Sequence, residues 1–236
     1  MKFRRKSDAP HADQPVEQAD PAGTAAAAVP TEPGAPAQAA TDGPYDADAL
    51  PEDGVDRVDL GSLLIAPVPG LELRLQVDEK SGAVQAVLLA NPDGAVELRA
   101  FAAPRHGDLW SEVRPQIAAD MAQRGGVASE REGVFGPELT CQLTVRRPDG
   151  STATQPSRVI GVNGERWLLR ASVMGRPALA DELPQEWVDA IRSVAVRRGT
   201  GAMPVGEPLP VVLPENARRI QPAAEAQSAA ERPPSS

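Results

Sequence analysis

The chain has 236 residues, 25 of them proline and 20 glycine, and a formal net charge of −9. The acidity sits at the front: residues 1–56 hold 4 basic against 11 acidic side chains, residues 57–199 hold 17 against 18, and residues 200–236 hold 3 against 4. A central region so nearly neutral lacks the basic footprint of a nucleic-acid binder, and no stretch approaches the ~18–20 apolar residues of a membrane span.

Residues 1–56 read as an acidic leader of Pro, Ala, Gly and Thr with few large apolar side chains. Such a stretch cannot offset a chain entropy of about 1–2 kcal/mol per residue, and disorder is expected. Ser7 follows Arg4, Arg5 and Lys6, the charge context that basic-directed kinases use; the other reading is a solubilising tip. The basic start lacks the apolar region of a signal peptide. The single cysteine, Cys141, allows no intrachain disulfide and fits a reducing compartment, so a cytoplasmic protein is expected. Arg outnumbers Lys 21 to 3, a GC-rich coding bias typical of actinobacteria.

Order is expected from about Arg57, with a single domain over residues 57–199. The apolar run 60–68 reads as a short buried segment or an edge strand. Leu71, Leu73, Leu75 and Val77 then alternate with Glu72, Arg74 and Gln76, which predicts a half-buried strand. A strand over 84–90 returns, Asn91-Pro92-Asp93-Gly94 turns the chain, and 96–103 alternates again. Three hairpin-linked strands make a meander.

A short polar turn, 104–108, leads into an amphipathic helix over 109–124 that stops at Gly125-Gly126. Asp108 is the expected N-cap. Trp110, Val113, Ile117 and Met121 fall on one stripe. Pro115 predicts either a kink or a regular helix beginning at Pro115; the kink fits the stripe better.

A second meander follows. Residues 127–132 form a short polar strand; Leu139, Cys141 and Leu143 alternate in the next; Pro148-Asp149-Gly150 turns into 153–162. Asn163-Gly164 is the strongest hairpin signal, because both residues tolerate a type I′ turn. That turn sets Val162 opposite Glu165, Ile160 opposite Trp167 and Arg158 opposite Leu169. Ile160, Trp167, Leu169, Ala171 and Val173 share one face; Val159, Leu168 and Met174 lie on the other, so covering layers are expected on both. A last helix near Leu183, with Trp187, Val188 and Ile191 as its stripe, runs into a short strand at 194–198. Residues 200–220 form an extended proline-rich segment, in which 208–214 either packs on the domain or docks a partner. Residues 221–236 are expected to be disordered. The fold class is α+β, a predominantly antiparallel sheet with two helices packed on it.

The runs AFAAPRHGDLW (100–110), FGPEL (135–139), GVNGERWLL (161–169) and LPVVLP (209–214) resemble the actinobacterial proteins grouped as domain-of-unknown-function family 3710. The resemblance spans about residues 57–215. It implies no activity, cofactor or catalytic residue. The order of elements is also similar to Mog1/PsbP-like sandwiches, an analogy of fold alone.

Few chemistries fit these residues. With one cysteine and two histidines, no pair has zinc spacing, and no acidic loop has calcium spacing. His106 is the domain's one histidine; beside Arg105 and Asp108 it reads as part of a capped helix start more readily than as a base, and no serine sits in a nucleophile elbow. Cys141 reads as a small buried hydrophobe. Arg158, Arg166 and Arg170 gather on the Asn163-Gly164 hairpin and read as a solvated, salt-bridged face. The three tryptophans read as core. Phe135, in a Gly/Pro loop, is an exposed anchor or a plug. No cofactor or metal is expected. The function expected is a non-catalytic, cytoplasmic interaction or adaptor domain with flexible arms and an unknown protein partner; Phe135 and the loop residues Arg105, His106 and Asp108 are its expected ligand or partner contacts. The alternative is a small-anion binding protein, or an enzyme, using the loop 104–108.

Overall fold

The computed structural model describes residues 43–77, 83–146 and 150–213; Ser7 and the remainder of both tails lie outside them. The large sheet is built from two meanders. The first is β4 (Glu72–Val77), β5 (Val84–Asn91) and β6 (Gly94–Ala102). The second is β7 (Val127–Gly133), β8 (Gly136–Arg146), β9 (Thr152–Gly164) and β10 (Trp167–Gly175). Between them α1 (Leu109–Gln123) carries the chain across the sheet, so the second meander starts at the far edge and ends with β10 beside β6. The strand order is β4-β5-β6-β10-β9-β8-β7, antiparallel throughout. A second, four-stranded sheet orders β1 (Tyr45–Asp46), β11 (Ala195–Val196), β3 (Leu63–Ile65) and β2 (Val58–Asp59). With α2 (Gln185–Arg192), the architecture is α+β, as the alternating patterns predict.

Period-two alternation decides what each face meets. Val96, Leu98, Ala100 and Ala102 of β6 share the inner face with Trp167, Leu169, Ala171 and Val173 of β10. Trp187, Val188 and Ile191 of α2, Leu63, Ile65 and Val196 of the small sheet, and Leu60 between β2 and β3 close over them. On the outer face Leu139, Cys141, Val159 and Leu168 meet Leu109 and Trp110, with Val113, Ile117 and Met121 partly buried along α1. Both faces are therefore covered. The helix runs unbroken through an exposed Pro115, so its regular part begins at Leu109. It ends in a Schellman arrangement: Gly126 N–H donates to Met121 O (2.9 Å), Gly125 N–H to Ala122 O (3.0 Å), and Gly125 takes φ 77°.

Three expectations are corrected. Folding begins earlier than Arg57. Tyr45 and Asp46 pair in parallel with β11, and Asp46 Oδ2 accepts from Trp167 Nε1 at 3.1 Å. Backbone pairing and one polar contact hold this piece, so hydropathy does not mark it.

The β9–β10 turn lies two residues later than Asn163-Gly164. Gly164 faces Trp167, Val162 faces Leu169 and Ile160 faces Ala171, with Glu165 and Arg166 at the tip and Arg166 at φ 64°. A shift by an even count leaves every side chain on its expected face. Asn163 and Gly164 serve packing instead. A Cβ on Gly164 would lie 2.1 Å from the Trp167 ring.

The third correction concerns the arginines. Arg158 points inward and is 2 % exposed, while Arg170 lies on the outer face, so the hairpin carries no common solvated cluster.

The proline-rich segment forms a strap. β5 and β6 pair only as far as Val87 opposite Leu98. Beyond that point residues 206–209 lie against β6: Ala102 N–H donates to Glu207 O, Gly206 N–H to Ala102 O and Leu209 N–H to Ala100 O, each at 2.8 Å. The strap then reaches the small sheet, with Val212 N–H donating to Leu60 O at 2.9 Å. Leu209 is buried beneath it.

Candidate functional site

The loop before α1 separates its residues instead of converging them. Arg105 and His106 are exposed, and neither has a hydrogen bond or ion pair among the described residues. Asp108 is fully engaged. Its Oδ1 accepts from Ser111 N–H at 3.0 Å and from Asn163 Nδ2 at 2.6 Å, and its Oδ2 accepts from the Ser111 hydroxyl. Asn163 Oδ1 in turn accepts from Trp110 N–H at 3.2 Å. Asn163 therefore clamps two backbone and side-chain groups of the helix start onto the sheet. Partial burial works against the Asp108 charge, but the bonds from Ser111 and Asn163, with Arg114 nearby, hold its carboxyl below the ordinary value. A carboxylate so occupied is a poor general base.

Beneath this clamp, Gly161 lets Trp110 lie directly on β9: a Cβ there would sit 2.1 Å from the indole ring. The indole Nε1 donates to Pro137 O at 2.6 Å. Phe135, at the tip of the β7–β8 hairpin, packs against the inner core, with Arg192 Cζ 6.0 Å from its ring centroid. Asp108 caps the helix on the outer face and Phe135 closes the inner one, so the two do not form one site.

A buried ion cluster escaped the sequence reading. Glu138 and Arg158 are 1 % and 2 % exposed on the inner face, with Arg158 Nη1 at 3.4 Å and Arg131 Nε at 3.5 Å from Glu138 Oε1. Arg158 also donates to Ala180 O and Arg131 to Asp181 O, pinning the segment between β10 and α2. Burial pushes the Glu138 carboxyl above its ordinary value against the pull of Arg158 and Arg131, and burial likewise lowers Arg158 despite Glu138. Gly133 makes room for the carboxylate, since a Cβ there would lie 2.4 Å from Glu138 Oε2. The alternation on β8 hides this glutamate, because its cation partners come from two other strands. Burial raises the Cys141 thiol against a Ser157 hydrogen bond, leaving it an unreactive core group.

Among the described residues, no three His, Cys, Asp or Glu side chains come together as a metal-binding group, and no helix is long and apolar enough to cross a membrane.

These features define an α+β domain, a seven-stranded antiparallel sheet between two covering layers, in which Asp108 is committed to helix capping and Arg131 and Arg158 to loop anchoring. The chain belongs to the family described as proteins of unknown function, DUF3710, whose model matches residues 43–220. No curated protein matches it. Among solved structures, a crystal structure of a protein from Bacteroides thetaiotaomicron is 14% identical, with a TM-score of 0.33. That match covers 59% of this chain and spans about half, 49%, of the other.

Proposed function

We propose that this chain is a non-catalytic interaction module, a cytoplasmic adaptor of actinobacterial origin, whose contact surface is the exposed end of the proline-rich strap. One observation carries the reading. The strap buries Leu209 but displays Val212 and Leu213, 58% and 44% exposed, with Val205 at 56% before it. Val212 runs beside Leu60 and Gly61, just after β2, whose Val58 is 39% exposed. The backbone beneath these side chains is already held extended by hydrogen bonds and prolines. A partner would therefore meet apolar groups whose ordering cost is met within the fold, which favours binding. Extended proline-punctuated segments are recognised this way by aromatic-lined grooves. The lone Cys141 supports the cytoplasmic part and the Arg-for-Lys bias the source.

The test is a cross-linked capture from the native cell with the full chain and with the double substitution Val212→Asp, Leu213→Asp. The expected result is one stoichiometric partner that the wild type holds and the variant loses at unchanged melting temperature. Equal capture by both moves the contact surface elsewhere. The loop 104–108 offers exposed Arg105 and His106 without a converging third group, and nothing in its geometry favours the anion-site or enzyme reading there.

A further inference from the structure

A groove of about 440 Å³ opens between α1 and the outer face of β8, β9 and β10. It is lined by Ile117 and Met121 from the helix and by Ser157, Arg170, Ser172 and Met174 from the sheet. The volume lies in the range of small-molecule sites, and methionines adapt to varied apolar shapes.

The charges decide what this groove prefers. Asp120 and Arg124 also line it and pair with each other at 3.7 Å. Arg99, directly opposite Arg170 in the β6–β10 register, is paired with Glu97 at 2.5 Å. Arg114 on the same helix pairs with Glu130 at 3.1 Å. Arg170 alone of these four arginines has no ion pair or hydrogen bond among the described residues. It is half-buried and lies over the Phe101 ring, its Cζ 5.1 Å from the centroid. Burial and the neighbouring Arg99 both disfavour its charge against the pull of Glu97. A half-buried cation with no direct anion contact is unfavourable, and an incoming anion bonded to it relieves that cost. Its aromatic seat orients the planar guanidinium, whose fork matches a carboxylate.

We infer that this groove binds a small amphiphilic carboxylate, with the head group on Arg170 and the apolar body between Ile117, Met121 and Met174. The site is separate from the strap surface.

The experiment titrates the full chain with decanoate, decanol and inorganic phosphate by calorimetry, alongside Arg170→Met and the groove-filling Ser172→Trp. Decanoate binds the wild type and binds Arg170→Met at least tenfold more weakly; decanol binds both alike; phosphate does not saturate; and Ser172→Trp loses decanoate. A second measurement needs no variant: the Arg170 Nε–H resonance shifts on adding decanoate and stays in place on adding decanol. The inference is overturned if decanoate does not bind, if Arg170→Met binds it equally, if phosphate binds as tightly, or if that resonance does not move.

Discussion

Gly161 and Asn163 sit two residues apart and do unrelated work that meets at Trp110. Gly161 yields space to the indole, and Asn163 binds the helix backbone at Trp110 N–H and the cap at Asp108. Gly161→Ala is expected to cost about 1–3 kcal/mol through overpacking against a ring that has nowhere to move. Asp108→Ala is expected to cost about 1–2 kcal/mol, with loss of the cap as the cause. Urea midpoints at constant slope measure both.

The pH dependence follows from the same group. Asp108 titrates below its ordinary value of 3.8 in the folded chain, so the unfolded chain takes up the proton first. Its contribution is complete above that value and is lost as pH falls through the folded value. Melting curves of wild type and Asp108→Asn, which keeps a capping oxygen but not the charge, should differ at neutral pH and converge in acid; a constant difference contradicts the lowered titration of Asp108. On the inner face, Glu138→Gln should cost roughly 3 kcal/mol, because it leaves Arg158 buried without a carboxylate, while Glu138→Leu with Arg158→Leu should recover most of the loss. At this scale the sequence is only partly legible. Asp108 was readable as a cap because the capping bond is local. Asn163-Gly164 was misread as the turn, since a hairpin signal and a long-range clamp require the same two residue types. Glu138 was invisible because its partners lie on β7 and β9.

At the scale of elements, period two and period 3.6 carried most of the fold. β4 and β6 are marked by their own alternation and both helices by a stripe, whereas β7 is a polar strand without one. The misplaced β9–β10 turn did little harm, because register errors by an even count keep each side chain on its face. That turn retains a cost: Arg166 occupies a left-handed conformation at φ 64°, where a Cβ is strained. Arg166→Gly is therefore expected to stabilise the chain by about 0.5–1 kcal/mol, read from the thermal midpoint; a lower midpoint means the arginine contributes more than its backbone loses.

The small sheet shows where legibility ends for the whole molecule. β1 and β2 have two residues each, and β1 pairs with a strand about 150 residues away, so no local pattern announces them, whereas β11 falls inside the short last strand expected at 194–198. The strap is similar. Its position beside β6 follows from the point where β5 stops pairing, a property of two other strands. Leu209→Ala is expected to cost about 2–4 kcal/mol if the strap ties the two sheets together. An unchanged denaturation midpoint would mean it only rests on them.

The central claim is that this tie presents Val212 and Leu213 to a partner. A photo-cross-linking residue placed at position 212 of the full chain, in the native cell, tests it most directly, with position 127 on the opposite edge strand as the exposed control. The account predicts one discrete cross-linked species at 212 and none at 127. No species at 212, or the same species at both positions, contradicts it.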